Sequence, residues 1–178
     1  HKKPDLVISG INHGANVGED ITYSGTCGGA MEGTLQGVNS IAVSQLYNND
    51  SLDKFGFDLA CEITLELVQN IFENGYPLDG REFLNLNIPA VSKNEYKGLK
   101  IVPVGQQNYN TNAQIHRNPR GLEYYWLGTP GIRYAADLGY DCDITTLNQN
   151  YASLTPIKLD MTSYKSIEIL KNWTINER

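Results

Sequence analysis

Residues 4–18 read PDLVISGINHGANVG, and residues 23–26 read YSGT. The apolar residues within 5–9 are typical of a buried β-strand, and a loop rich in glycine and asparagine follows at 10–23. Ser24 or Thr26 then caps a predicted helix over residues 25–36, with Gly37 just after its end. In α/β proteins, loops and helix N-termini of this kind bind anions at the carboxyl edge of a sheet. The stretch predicts an oxyanion or phosphate pocket in such a fold.

The segments that follow extend the α/β pattern. Residues 40–44 form a second short apolar strand, which completes a strand–helix–strand unit. The clearest helix spans residues 58–74, because apolar residues recur every three or four positions before Gly75 and Pro77. Two further strands are predicted at 83–88 and 99–104. We expect a Rossmann-like, three-layer domain with a mainly parallel sheet, to which residues 1–105 belong.

The second half differs in character. Residues 106–119 are polar and rich in asparagine, which predicts a long loop or extended arm. Aromatic residues 122–127 form a predicted strand, and a second extended segment lies around 132–136. Several of the eleven tyrosines lie here. They favour a hairpin arm over 106–141 that buries itself on another subunit, although a hairpin folded onto its own domain gives the same pattern.

The last segment, residues 142–178, returns to regular structure. It has a predicted strand at 154–159 and a short amphipathic C-terminal helix at 164–173. Pro156 lacks a backbone N–H group and therefore predicts that this strand lies at a sheet edge.

Composition excludes several function classes. The formal net charge is −6, and without a basic cluster this argues against nucleic-acid binding. No apolar run approaches the roughly 18 residues that a membrane span requires. The three cysteines are far apart, which predicts free thiols in a reducing compartment and thus a cytoplasmic protein. Cys27 has no histidine nearby in sequence, so we do not expect it to be a nucleophile.

The loop matches neither of two common phosphate-binding motifs. Gly10, Gly14 and Gly18 are four residues apart, unlike the G-x-G-x-x-G pattern, and no Gly-Lys-Ser/Thr sequence marks a P-loop. Asn12 and Asn16 carry carbonyl oxygens that suit a hard divalent cation or a substrate hydroxyl. An ordinary connecting loop would have the same composition.

The Ser24-Gly25-Thr26 turn is the second candidate element. Its hydroxyl and N–H groups at a helix N-terminus suit a phosphate, and they equally suit a cap that serves only the helix. Ser24 as an acyl-transfer nucleophile is a weaker reading, because no G-x-S-x-G motif surrounds it. The sequence also lacks a cluster of acidic metal ligands, which phosphate chemistry normally uses.

Taken together, these motifs resemble the SurE family of nucleoside monophosphate phosphatases. The blocks that carry the resemblance follow the family's order: D-L-V-I-S-G-I-N-x-G-x-N-x-G-x-D at 5–20, Y-S-G-T at 23–26, A-M-E-G at 30–33, F-L-N-L-N-I-P at 83–89, R-N-P-R-G at 117–121, Y-Y-W-L-G at 124–128, Asp143, and Y-A-S-L-T-P at 151–156. They extend over nearly the whole chain.

The resemblance implies a metal-dependent 5′-nucleotidase. Nucleoside 5′- and 3′-monophosphates, and in some members short polyphosphate, would be the substrates, and Mn²⁺ or Mg²⁺ the cofactor. It also implies a homodimer or homotetramer assembled through exchanged arms. Asn12 would be a metal ligand, and Asn16, Ser24, Gly25 and Thr26 would line the phosphate pocket. Asn12, Ser24 and Thr26 would be the catalytic residues.

One departure from the family pattern affects the predicted metal site. Family members hold the metal with two adjacent aspartates near the N-terminus, a serine, and the asparagine of S-G-I-N. Only the asparagine has a counterpart here, so the chain is expected to lack the family's N-terminal third. The alternative to an active enzyme is therefore an inactive, oligomer-forming fragment that binds phosphate.

Overall fold

The computed structural model describes residues 2–46, 56–108, 113–127, 133–134 and 138–173. Its strands are β1 (Val7–His13), β2 (Ser40–Gln45), β3 (Glu82–Ile88), β4 (Leu99–Ile101), β5 (Gln107–Asn108), β6 (Ala113–Arg117), β7 (Glu123–Leu127), β8 (Arg133–Tyr134) and β9 (Ala152–Lys158). Its helices are α1 (Gly25–Leu35), α2 (Asp58–Asn74), α3 (Asp143–Asn148) and α4 (Tyr164–Trp173), with a 3₁₀ helix at Gly18–Thr22. No helix among these residues is long and apolar enough to cross a membrane.

A five-stranded sheet with the order β1-β2-β3-β9-β4 forms the centre of the domain. The pairs β1–β2, β2–β3 and β4–β9 are parallel, whereas β3–β9 is antiparallel. The prediction of an α/β fold with a mainly parallel sheet is therefore confirmed.

The two faces of the sheet carry separate cores. On one face, buried residues of β2 and β3 pack with Ala60, Ile63 and Ile71 of α2. On the other face, Ala42 and Phe83 pack with Cys27 and Ala30 of α1. Side chains alternate between faces along a strand, so the sheet lies between two helical layers, as predicted.

Two glycines allow α1 to approach the sheet closely. A Cβ atom at Gly29 would lie 2.5 Å from the Ser9 hydroxyl, and one at Gly33 would lie 2.5 Å from the Ser40 hydroxyl. Glycine lowers the helix propensity of this segment, and at these two positions the close packing explains why glycine is present.

Strand β1 extends beyond the predicted residues 5–9, through Gly10 to His13. Its pairing with β2 shifts register between Ser9 and Asn12. Gly10 has a φ of 134°, and a Cβ there would lie 2.2 Å from the Val43 carbonyl oxygen. Only glycine fits this approach, so the glycine that predicted a loop instead lies inside the strand. Asn12 consequently lies at a strand end.

The prediction that the strand containing Pro156 lies at the sheet edge was wrong, because β9 lies between β3 and β4. Strand β4 is shorter than the predicted 99–104 and pairs with β9 only from Ala152 to Leu154. Pro156 lies beyond this pairing and is exposed. A proline is therefore tolerated in this interior strand, because β4 no longer pairs with β9 at residue 156. No hydrogen bond from a backbone N–H group is required there.

Part of the predicted loop at 106–119 is strand. β6 pairs with β7 as an antiparallel hairpin, and β5 pairs with β8. The predicted segment at 132–136 corresponds to β8, and its remaining residues lie outside the described part of the chain. Helix α4 has the predicted bounds, and its residues are exposed.

Candidate functional site

The carboxyl ends of β1, β2 and β3 bring three polar residues into one row. Asn12 is paired in register with Ser44, and Ser44 with Asn87. The strands are parallel, so the loop after β1 lies at this same edge of the sheet. This is the position at which open α/β sheets bind their ligands.

The start of the loop is fixed to the strands by hydrogen bonds. The Gly14 amide donates to the Gln45 carbonyl over 2.8 Å. The Asn12 side chain donates through Nδ2 to the Gly14 carbonyl over 2.8 Å. Because this bond uses the amide nitrogen, the carbonyl oxygen Oδ1 is the atom that Asn12 can offer to a cation or a substrate hydroxyl.

Asn16 is the centre of a buried hydrogen-bond network. Its backbone N–H donates to Asn87 Oδ1 over 2.8 Å, and its Nδ2 donates to Ser44 Oγ over 2.6 Å. Its carbonyl oxygen accepts from Asn85 Nδ2 at 2.8 Å and from Asn87 Nδ2 at 3.1 Å. Buried polar groups are stable when they are paired in this way. The network fixes the middle of the loop on the sheet.

Sequence reasoning gave Asn85 and Asn87 no role. The signal was present in the pattern Phe83-Leu-Asn-Leu-Asn-Ile88, which places two amides on one face of a buried strand. Both are fully buried. Their partner, Asn16, lies 69 and 71 residues earlier, and strand periodicity alone does not identify so distant a contact.

Helix α1 directs its N-terminus toward the same edge. Gly33 contacts Val7 and Ser40 at the amino ends of β1 and β2, and Gly29 contacts Ser9 further along β1. One more helical turn, about 5.4 Å, reaches Gly25 at the carboxyl end. The Ser24–Thr26 turn and Asn12 are thus brought to the same side of the sheet.

The turn itself is a helix cap, as predicted. Ser24 Oγ accepts a hydrogen bond from the Cys27 N–H over 3.0 Å. The N–H groups at the start of a helix have no partner within the helix, and the helix dipole adds partial positive charge there. Gly25 is exposed and Thr26 is half-buried, which leaves this turn accessible to an anion.

The cysteines behave as the sequence predicted. All three are free thiols. Cys27 has no exposed surface, and burial raises the pKa of its thiol, with the Ser24 hydrogen bond opposing that effect. A buried thiol with a raised pKa is a poor nucleophile.

The residues at this edge of the sheet supply only part of the ligand set that a divalent metal ion requires. The described residues contain no group of three or more histidine, cysteine, aspartate or glutamate side chains that could hold a metal ion. Asn12 offers one neutral oxygen, which is a weak ligand compared with water around a divalent cation. These residues alone do not complete a metal site.

Comparison with known proteins gives consistent results. The family model for survival protein SurE matches residues 1–111. The chain is 75% identical over 173 residues to the 5′-nucleotidase SurE of Campylobacter fetus subsp. fetus, covering 97% of this chain and 68% of that protein. It is 56% identical over 171 residues to the 5′-nucleotidase SurE of Campylobacter hominis, covering 96% and 66%.

A solved structure agrees with these matches. The SurE protein from Aquifex aeolicus has a TM-score of 0.76 and 37% identity, and the match covers 96% of this chain and 66% of that chain. The chain thus spans about two thirds of the length of the relatives it matches.

Proposed function

The chain belongs to the SurE family, and from this premise we propose that it carries the phosphate-binding part of a 5′-nucleotidase. The enzyme hydrolyses nucleoside 5′-monophosphates to nucleoside and phosphate. Nucleoside 3′-monophosphates and short polyphosphate are further candidate substrates. The names of the relatives, 5′-nucleotidase SurE, support the reaction class.

One structural observation supports the site most directly. The end of β1 with Asn12 lies at the carboxyl edge of the sheet, and α1 runs along β1 so that its N-terminus with Ser24–Thr26 is directed toward the same edge. A phosphate monoester has anionic oxygens that suit the α1 N-terminus. A phosphate bound there would direct its ester bond toward the Asn12 side chain.

Each residue has a distinct proposed role. The N–H groups of Gly25 and Thr26 and the Thr26 hydroxyl donate to the phosphoryl oxygens, where charge increases during hydrolysis. Ser24 holds the turn in shape through its bond to the Cys27 N–H. For Asn16, which the resemblance assigns to the phosphate pocket, we propose a positioning role, because its backbone and its Nδ2 are bonded to the sheet.

We further propose that a divalent cation, Mn²⁺ or Mg²⁺, binds with Asn12 Oδ1 as one ligand and with other ligands outside the described residues. Such a cation would neutralise charge on the phosphate. Asn12→Ala should raise the Mn²⁺ concentration needed for half-maximal activity. Asn74→Ala is a matched control, because Asn74 is an exposed asparagine whose side chain donates to the Asn70 side chain of the same helix. Equal Mn²⁺ dependence in both variants would contradict the assignment.

The reaction is tested by phosphate release from the purified full-length protein. We expect release from nucleoside 5′-monophosphates in the presence of Mn²⁺ or Mg²⁺ and loss of activity with EDTA. No release from any nucleotide at any metal concentration would refute the proposal. The relatives give no support to the alternative of an inactive phosphate-binding fragment.

A serine hydrolase using Ser24 makes the opposite predictions. It would react with a fluorophosphonate and keep its activity in EDTA. The Ser24 hydroxyl accepts the capping bond from the Cys27 N–H, and this structural role argues against Ser24 as an acyl-transfer nucleophile.

We propose that residues 106–141 form an arm through which a homodimer or homotetramer assembles. Ile115 and Tyr125 are paired across the β6–β7 hairpin and are 60% and 65% exposed. Apolar side chains on an exposed hairpin suit burial against a second copy. Replacing both by serine should lower the mass measured by light scattering, and an unchanged mass would contradict this role.

We also propose that the protein acts in the cytoplasm. The three free thiols suit a reducing compartment. Fractionation of cells that express the full-length protein tests this directly, and recovery from a secreted or membrane fraction would contradict it.

A further inference from the structure

A buried carboxylate joins three segments of the chain near the candidate site. Asp143, at the start of α3, has no exposed surface. Its Oδ2 accepts from the Gly18 N–H over 3.0 Å. Its Oδ1 accepts from the Gly105 N–H and from its neighbour Ile144 N–H, both over 2.8 Å. The two oxygens therefore bind backbone groups 125 and 38 residues away.

These segments have different places in the fold. Gly18 ends the loop that follows Asn12 and carries Asn16, and it begins the 3₁₀ helix that leads to the Ser24–Thr26 turn. Gly105 lies just before the hairpin segment, and Asp143 lies just after it. The Asp143 carboxylate, just after the hairpin segment, thus binds the site loop at Gly18 and the start of that segment at Gly105.

The approach at Gly105 is close. A Cβ atom there would lie 2.8 Å from Cys142 Sγ and 3.0 Å from Asp143 Oδ1. The Asp143 N–H also donates to the Pro103 carbonyl over 3.0 Å. The base of the hairpin is therefore packed against the carboxylate with no room for a side chain.

From these contacts we propose that Asp143 is a positioning residue that holds the Gly18 end of the site loop against the base of the hairpin. The Asn16 network fixes the middle of the loop to the sheet, and Asp143 fixes its end. Together they set the position of the Ser24–Thr26 turn relative to Asn12. The effect on catalysis rests on the proposed nucleotidase function, whereas the effect on the loop does not.

The chemistry requires a carboxylate. Three N–H donors approach the two oxygens, Gly18 on Oδ2 and Gly105 and Ile144 on Oδ1, so both oxygens must accept. An asparagine at this position offers one acceptor oxygen and an NH₂ group that donates, which leaves either Gly18 or Gly105 facing a second donor. Burial raises the pKa of the Asp143 carboxyl, and the hydrogen bonds from Gly18, Gly105 and Ile144 oppose this rise.

The test compares Asp143→Asn with Thr145→Val in the full-length protein. Thr145 Oγ1 accepts from the Cys142 N–H over 2.9 Å, so its loss weakens the start of the same helix without touching Gly18. We expect Asp143→Asn to accelerate amide hydrogen exchange at residues 16–18 and to lower kcat/KM, each at least about tenfold, since small displacements of a site are costly. Thr145→Val should lower Tm while changing both readouts by less than about twofold.

Equal exchange at Gly18 in the two variants would overturn the proposal. If Asp143→Asn does not fold, Gly105→Ala disturbs the same contact from the hairpin side and should accelerate exchange at Gly18. Unchanged exchange at Gly18 in that variant would overturn the proposal equally. A wild-type protein without phosphatase activity would refute the proposed function, and the exchange data would still decide the role of Asp143.

Discussion

The asparagine network makes a quantitative prediction about Asn85 and Asn87. Both side chains are fully buried on the same strand, and alanine removes the same atoms at each. Asn87→Ala removes the only acceptor that the described residues provide for the Asn16 N–H, together with one of two donors to the Asn16 carbonyl. Asn85→Ala removes the other donor and leaves the N–H paired.

The difference between the variants is therefore the cost of one buried, unpaired N–H group. That cost is about 1–3 kcal/mol. The lost volume and the lost bond to the Asn16 carbonyl are common to both variants and cancel. Asn85→Ala also removes the acceptor of the Cys27 thiol, at 3.8 Å, but a thiol is a weak donor, so this loss is the smaller one. For a chain of this size, each kcal/mol lowers Tm by about 2–4 °C.

Urea unfolding followed by circular dichroism measures both variants against the wild type. We expect Asn87→Ala to have the lower midpoint with an unchanged m-value, so that the difference reports stability. An Asn85→Ala variant that is as unstable as Asn87→Ala, or less stable, would refute the reasoning about the network.

Three further predictions concern other parts of the molecule. Gly28→Ala should stabilise the protein by roughly 0.5–1 kcal/mol, because a Cβ there meets nothing within 4 Å. Gly29→Ala should destabilise it, because its Cβ would lie 2.5 Å from Ser9 Oγ. Thermal unfolding measures both variants, and a change of the same sign in both would contradict the packing of α1. A thiol reagent should label the exposed Cys61 rapidly and the buried Cys27 and Cys142 only on unfolding, and fast labelling of all three under native conditions would contradict their burial. Hydrogen bonds from Tyr164 and Thr162 lower the pKa of Asp160 to about 2. The ionised carboxylate therefore contributes to stability above its ordinary pKa, and this contribution is lost as pH falls through about 2. Asp160→Asn should flatten this part of the acid unfolding curve, and an unchanged curve would contradict the lowered pKa.

Local signals predicted α1, α2 and α4 well, whereas the short helix α3 was not predicted. The Ser24 cap and Gly37 define α1, and Gly75 with the nearby Pro77 ends α2 at the predicted residue. These boundaries depend on backbone chemistry within one turn of the chain, which the sequence displays directly. The order of the sheet strands depends on contacts between distant segments, so the position of the strand containing Pro156 was predicted wrongly.

The hairpin strand β6 was missed for a related reason. Its residues are exposed on both faces, and its alternation of apolar and polar residues covers only 113–116, within a polar, asparagine-rich segment. Polar residues in such a segment give the same pattern as a loop.

The residues of the candidate site also fall into two groups, those that the local sequence identifies and those that only the structure identifies. Asn12 and the Ser24–Thr26 turn are recognisable in the sequence because glycine, asparagine and hydroxyl residues cluster there. The roles of Asn85, Asn87 and Asp143 depend on hydrogen bonds to the loop backbone, formed across 69, 71 and 125 residues. Backbone partners leave no mark of their own in the sequence, so only the structure identifies them.

The central claim is that the N-terminus of α1 binds the phosphate of a nucleotide. Thr26→Ala tests it most directly when it is compared with Thr22→Ala in the full-length protein. Thr22 is an exposed threonine of the preceding turn, and its hydroxyl donates to the Glu19 carbonyl over 2.7 Å.

The measurement is kcat/KM for a nucleoside 5′-monophosphate, together with inhibition by inorganic phosphate. We predict that Thr26→Ala lowers kcat/KM at least about tenfold and weakens inhibition, as expected for a lost donor to the phosphoryl group. Thr22→Ala should match the wild type. Equal values for the two variants would show that the turn caps the helix without binding phosphate.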